Sequence, residues 1–216
     1  LQKPHVERIL LSADRDRKAK RPDSSFRLLD FACGTGSVTS FLEKIDGFNG
    51  DIDGLDLSPE MIAVARKNCR KSTLRAGDIL EDPDLLSPHY DAIVSFRFLL
   101  NVEDHIRRPV LKQLREDLRE PDGILIVNVH GNEKSLRHLA IARRRRKHPK
   151  TEEAPAGLML NEMSPDYTKQ LLKESGFEVI EQIGFGLFPE GVYRTPLRGI
   201  ARGIDTWVSG NPWARN

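Results

Sequence analysis

Leu28-Leu29-Asp30-Phe31-Ala32-Cys33-Gly34-Thr35-Gly36 is an apolar run that ends in an acidic residue and opens into a glycine loop. Directly after it Val38, Phe41, Leu42 and Ile45 recur at i, i+3, i+4 and i+7, the spacing of one face of an amphipathic helix. A strand therefore runs through a tight turn into a helix. Glycine has no Cβ, so the amides of such a turn can come close to a bound molecule. The unpaired N–H groups and partial positive charge of the helix start lie at the same place.

Ile52-Asp53-Gly54-Leu55-Asp56-Leu57 reads as a second buried strand ending on an acidic residue. Ser58-Pro59-Glu60 then starts a helix: Ser58 caps it, Pro59 suits the first helical position, and Glu60 complements the dipole. Thr73 to Ile79 is a third strand, with Asp78 near its end, and Tyr90 to Ser95 a fourth, followed by Phe96-Arg97-Phe98-Leu99-Leu100-Asn101. Ile106, Val110, Leu111, Leu114 and Leu118 mark a helix that tolerates Pro109 near its first turn. Ile124 to Val129 is a fifth strand leading to His130. Ser164-Pro165-Asp166 repeats the helix start, Gly176 closes that helix, and Phe177 to Ile183 is expected as a sixth strand.

Apolar strands alternating with helices imply an α/β fold with a doubly wound, mostly parallel, Rossmann-like sheet covered on both faces. Ligands bind such sheets beyond the carboxyl ends of the strands. The informative residues sit there: Asp30 through Gly36, Asp56, Asp78, Ser95 to Arg97, and His130.

With 216 residues, 38% hydrophobic and 31% charged, the chain suits one sizeable core and a charged surface. Its net charge of +2 does not by itself call for a nucleic-acid partner. No apolar run approaches the roughly 20 residues of a membrane span, and the start shows no signal-peptide core. Cys33 and Cys69 have no metal-type spacing, so no metal is expected and a reducing cytoplasm is the expected setting.

Asp56 stands twenty positions after Gly36, where a carboxylate at the end of a second strand accepts from a ribose diol. The spacing points to an adenosine-type cofactor, a dinucleotide or S-adenosylmethionine. The third glycine of a dinucleotide turn is not matched, because Thr39 stands three past Gly36.

Together with Gly54-Leu55-Asp56-Leu57-Ser58-Pro59-Glu60-Met61 and Ala76-Gly77-Asp78-Ile79, the opening stretch resembles the successive signatures of class I S-adenosylmethionine-dependent methyltransferases. The resemblance covers roughly residues 26 to 185. It implies that Asp30 and the loop Ala32, Cys33, Gly34, Thr35, Gly36 surround the methionine part of the cofactor, and that Asp56 holds the ribose hydroxyls. It also implies that Leu57 and Met61 pack near the adenine, and that Gly77, Asp78 and Ile79 bind the adenine edge and face. Ser95, Phe96 and Arg97 would line the cofactor beside the substrate opening, and S-adenosylhomocysteine would be the product.

Two departures are noted. Ala32 replaces the first glycine common in the loop, a change tolerated where φ is negative. The family's seventh strand has no candidate after Ile183, and the reading is that this sequence stops short of it. The expected organisation is a cap helix and charged linker over 1–25, a methyltransferase domain over 26–186 with a basic helix and loop insertion at 131–163, and a tail with one helix over 187–216.

Methyl transfer from a sulfonium is an in-line displacement, so positioning matters most and a general base is needed only for a protonated nucleophile. His130 and Arg97 are the candidate catalytic groups, His130 as a base and Arg97 as a contact to an acidic substrate. The expected acceptor is an oxygen or nitrogen of a small molecule. Two alternatives stand beside it: an RNA methyltransferase that uses the basic segment 143–150, and a catalytically silent cofactor-binding module that regulates a partner.

Overall fold

The computed structural model of the chain describes residues 2–86, 89–129 and 163–183. Among them five strands form one parallel sheet: β1 (Arg27–Phe31), β2 (Asp51–Asp56), β3 (Thr73–Ala76), β4 (Ala92–Phe96) and β5 (Ile124–Asn128). Their order is β3-β2-β1-β4-β5. The helices are α1 (Lys3–Lys20), α2 (Ser37–Leu42), α3 (Pro59–Asn68), the single turn α4 (Phe98–Asn101), α5 (Asp104–Asp117) and α6 (Pro165–Glu174), with a 3-10 turn at Pro83–Leu85. Residues 3–129 with 174–177 form one compact unit, and the other described residues belong to a second.

Side chains of a strand alternate between faces, so each strand feeds two cores. Leu28, Ile52, Ala92 and Val94 pack with Val6 and Leu10 of α1 and Leu42 of α2. Leu29, Leu55 and Ile93 pack on the other face with Val110 and Leu114 of α5. Ile62 and Ala65 of α3 gather with Leu74, Cys33 and Cys69 in a third cluster. The start of α3 is as expected: Ser58 Oγ accepts from the Met61 N–H at 3.2 Å, and Pro59 opens the helix.

Three expectations need correction. First, α1 runs through Lys20, well into the stretch taken as a charged linker. Asp14 and Arg17 are buried there and joined at 3.0 Å, and Lys18 reaches Asp14 at 2.7 Å. Pairing within one helix face is what lets such charges be buried. Second, Pro109 lies in the second turn of α5, leaving the His105 carbonyl without its helical donor. Third, Phe177–Ile183 forms no strand, and Ile180 is 80% exposed. Alternation of apolar residues registers only a tendency; a strand exists where a neighbour supplies the ladder.

The helix at 196–208, the tail and the basic segment 143–150 lie outside the described residues. No described helix is long and apolar enough to cross a membrane.

Candidate functional site

Because all five strands run one way, their carboxyl ends share one edge of the sheet. The chain moves from β1 outward to β2 and β3, then returns to lay β4 against the other side of β1. The connections diverge at that point, and the crevice beyond β1 and β4 is where an open sheet of this kind takes a ligand.

The loop after β1 is built from left-handed backbone: φ is +58° at Ala32, +54° at Gly34 and +77° at Gly36. Ala32 therefore adopts a glycine conformation, contrary to the negative φ on which its tolerance was premised; for a residue with a Cβ this costs about 1–2 kcal/mol. Hydrogen bonds pin the loop in that shape. Cys33 N–H donates to the Leu55 carbonyl at 3.0 Å, Gly36 N–H to the Cys33 carbonyl at 3.0 Å, and Asn68 Nδ2 to the Thr35 carbonyl at 2.8 Å.

The two glycines serve different ends. A Cβ on Gly36 would lie 2.7 Å from Cys69 Sγ and 3.0 Å from the Ala65 Cβ, so this glycine permits α3 to pack against the loop. A Cβ on Gly34 would meet nothing within 4 Å, so the backbone there is open to an approaching molecule.

Three aspartates stand at or near the carboxyl ends of β1, β2 and β3, and Asp56 and Asp30 bond the segment from the loop into α2. Asp56, ending β2, is committed twice within the protein: Oδ2 accepts from the Gly34 N–H at 2.7 Å and Oδ1 from the Ser58 N–H at 3.0 Å. Asp30 in β1 is buried and accepts from Thr39 Oγ1 at 2.5 Å. Burial pushes its carboxyl up to about 7, partly countered by the Thr39 hydrogen bonds and reinforced by the Asp56 charge. Asp78, after β3, accepts from the Leu80 N–H through Oδ1 at 2.9 Å.

Leu57 and Met61 form an exposed apolar rim beside Asp56, at 69% and 44% exposure. Ile79, in contrast, is packed into the core with Leu55 and Leu86. Gly77 continues from β3, its N–H donating to the Asp56 carbonyl at 3.1 Å. Burial, then the charges of Asp30 and Asp56, push the Cys33 thiol up to about 12, so it stays protonated and is no nucleophile at neutral pH.

On the far side of the crevice, Ser95 is 2% exposed and its hydroxyl has no hydrogen-bond partner among the described residues. Phe96 ends β4 half-buried, and Arg97 follows it exposed, in left-handed backbone at φ +70°. The Arg97 N–H donates to Asn128 Oδ1, at the end of β5, at 2.6 Å. The structure thus gathers Asp30, the loop, Asp56, Leu57, Met61, Asp78, Ser95 and Arg97 along one edge. His130 lies outside the described residues.

Sequence reasoning missed Thr39, Asn68 and Asn128. Thr39 was visible only as the absence of a third glycine, and a hydroxyl one helical turn into α2 was the signal. Asn128, a polar residue closing an apolar strand, was a second. Nothing local marks Asn68, because its partner Thr35 is met only when α3 packs on the loop.

Residues 5–182 match the family model described as a methyltransferase domain. The chain belongs to that family. Its fold is the Rossmann-like one of class I methyltransferases, shared with the crystal structure of magnesium protoporphyrin IX methyltransferase from Synechocystis with bound S-adenosylhomocysteine. That likeness has a TM-score of 0.55 and 16% identity, covering 83% of this chain and 76% of the other. Among curated proteins it is 34% identical over 129 residues to the malonyl-[acyl-carrier protein] O-methyltransferase of Bacillus cereus, covering 57% of this chain and 44% of the relative. It is 38% identical over 114 residues to the dTDP-3-amino-3,4,6-trideoxy-alpha-D-glucopyranose N,N-dimethyltransferase of Streptomyces venezuelae, covering 51% and 44%. The chain spans about half the length of the curated relatives it matches.

Proposed function

We propose that this chain is an S-adenosylmethionine-dependent methyltransferase that passes the methyl group to an oxygen or nitrogen of a small-molecule acceptor. The observation that carries the reading is the loop left open at Gly34 and braced by Asp56, with Asp30 and Asp78 at the neighbouring ends of β1 and β3. The Asp56 and Asp78 carboxylates favour a ligand bearing ammonium and sulfonium charge over a pyrophosphate. The buried Ser95 hydroxyl, without a partner among the described residues, fits a polar ligand at the same crevice.

In this reading the Ala32–Gly36 loop and Asp30 hold the methionine portion, Asp56 accepts from the ribose hydroxyls with its remaining lone pairs, and Leu57 and Met61 cover the adenine. Asp78 would accept from the adenine amino group. Once bound, S-adenosylmethionine would supply an electrophilic methyl group on sulfur. The chain's own task is then to hold the acceptor in line and keep water out. Two relatives' names, an O-methyltransferase and an N,N-dimethyltransferase, support oxygen or nitrogen as the acceptor atom, while a shorter match carries the name of a C(15)-methyltransferase.

The test is calorimetry with S-adenosylmethionine and S-adenosylhomocysteine, followed by S-adenosylhomocysteine formation across a panel of small hydroxy and amino compounds. Micromolar binding of both and turnover of at least one compound are expected. Absence of binding would overturn the reading, and binding without any methyl acceptor would favour a regulatory module.

A further inference from the structure

Resting on that reading, we propose that Arg97 anchors an anionic group of the methyl acceptor, so that the acceptors of this chain are carboxylic acids or phosphate esters rather than neutral molecules. Arg97 follows β4 at the crevice beyond β1 and β4, directly after the buried Ser95 and half-buried Phe96. Its neighbours leave its side chain outside the core. Phe96 packs with the core shared by α1 and α2, and Phe98 with the core under α5, where it meets Phe31 edge to face at 5.0 Å. With one aromatic ring drawn into each half of the core, the residue between them is the one left outside.

The backbone at Arg97 is held in place. Arg97 stands at φ +70°, a conformation that favours glycine, and Asn128 Oδ1 secures its N–H at 2.6 Å from the adjacent strand end.

The charge is available. Among the described residues the Arg97 guanidinium makes no hydrogen bond or ion pair, and the residue is exposed. The arginines that follow are committed: Arg107 to the Leu99 carbonyl and Asp104, Arg108 to Glu174, Arg115 to Glu120, and Arg119 to Asp91. The nearby acids do not reach Arg97 either, since Asp104 pairs with Arg107 and Glu103 lies 3.4 Å from His105. Beside β1 stand the carboxyl groups of Asp30 and Asp56, which would turn an acid away, whereas Arg97 would draw it to one side of the bound methyl donor. A guanidinium fork takes a carboxylate or phosphate through two parallel hydrogen bonds, which fixes direction as well as charge.

The test uses the purified full chain and pairs of compounds, each a hydroxy or amino carboxylic acid with its primary amide and, where available, its phosphate analogue. S-adenosylhomocysteine formation is the readout, and calorimetry with S-adenosylmethionine is run on every variant. For the wild type we expect the acids to exceed their amides by at least about 10-fold in kcat/KM. Arg97→Gln should raise KM for the acids by about 10- to 100-fold, the scale of a lost charge-assisted pair. The ratio of acid to amide kcat/KM should fall toward one, and Arg97→Lys should recover part of the preference for acids. Amides that serve as well as acids overturn the proposal, as does an Arg97→Gln variant with unchanged KM for the acids. If the panel gives no turnover, the same acids are titrated into protein loaded with S-adenosylhomocysteine. Binding that weakens in Arg97→Gln supports the proposal, and binding that is absent or unaffected overturns it. Loss of cofactor binding in the wild type would instead sink the methyltransferase reading itself.

Discussion

Ala32 and Arg97 follow two strands that lie side by side, β1 and β4, and both hold left-handed backbone, at φ +58° and +70°. They flank the crevice where the chain reverses its winding. A non-glycine residue in that conformation persists only when its surroundings over-determine it, and such residues gather at functional sites. The Leu55 carbonyl and Asp56 hold the loop after Ala32, and Asn128 holds Arg97.

From this follows a contrast at position 32. Ala32→Gly relieves about 1–2 kcal/mol of backbone strain, offset by the added freedom of the unfolded chain and a lost methyl contact, so stability should stay within about 1 kcal/mol of wild type. Ala32→Val places a β-branched residue in the same conformation and should cost at least about 2 kcal/mol. Urea denaturation measures both, and a valine variant as stable as the glycine one would contradict the assigned backbone.

Asp56 has two tasks that one substitution removes together. Its carboxylate joins Gly34 to Ser58 before any ligand arrives. Asp56→Ala should therefore lower stability by about 1–3 kcal/mol through the two unpaired N–H groups, and also weaken S-adenosylmethionine binding by at least about 10-fold. Asp56→Asn keeps an acceptor for only one of the two amides and should fall between. A variant that binds the cofactor normally in calorimetry would remove the ribose assignment.

Asp30 makes stability depend on pH in a stated direction. Its carboxyl has an ordinary value of 3.8 and is pushed by burial to about 7 in the folded protein. Between those values the folded form holds a proton that the unfolded form has released. The contribution is therefore complete below about pH 4 and is lost as pH rises through about 7. Asp30→Asn keeps an oxygen for the Thr39 hydroxyl and removes the titration. Its melting temperature relative to wild type should be several degrees more favourable at pH 8 than at pH 5, and an equal difference at both would refute the burial argument.

Cys33 and Cys69 are both buried, and burial raises both thiols above their ordinary value. In the native protein at pH 8, Ellman's reagent should titrate few of the thiols, with both appearing in denaturant. Rapid reaction of the folded chain would mean that the loop opens far more readily than its hydrogen bonds indicate.

Asn128 should act on the acceptor only through Arg97. Asn128→Ala removes the acceptor of the Arg97 N–H while leaving the guanidinium in place. The expected result is a KM for acidic acceptors raised by less than in Arg97→Gln, with cofactor affinity unchanged. A larger effect than that of Arg97→Gln would place Asn128 in contact with the acceptor.

Most of the candidate cofactor site was legible because its signals are local. Asp30, the glycine loop, Asp56 and Asp78 sit at strand ends that periodicity marks, and Ser58-Pro59-Glu60 starts α3 by capping rules that operate within four residues. What was misjudged was judged by polarity alone. Asp14 and Arg17 looked like linker residues, yet they neutralise each other inside α1. Phe177 to Ile183 looked like a strand because alternation was counted without a partner to pair with.

The sequence by itself determined the alternation of strands and helices, the glycine turn and the three carboxylates that close β1, β2 and β3, because each depends on residues a few positions apart. Tertiary structure alone decided that β4 returns beside β1, that Thr39 satisfies Asp30, that Asp56 grips Gly34, and that Asn128 holds Arg97 in left-handed backbone with its charge unclaimed among the described residues. These relationships join positions brought together by strand pairing or by the turn from β1 into α2. A backbone angle or a buried carboxyl's protonation depends on what surrounds it, which propensity and spacing do not encode.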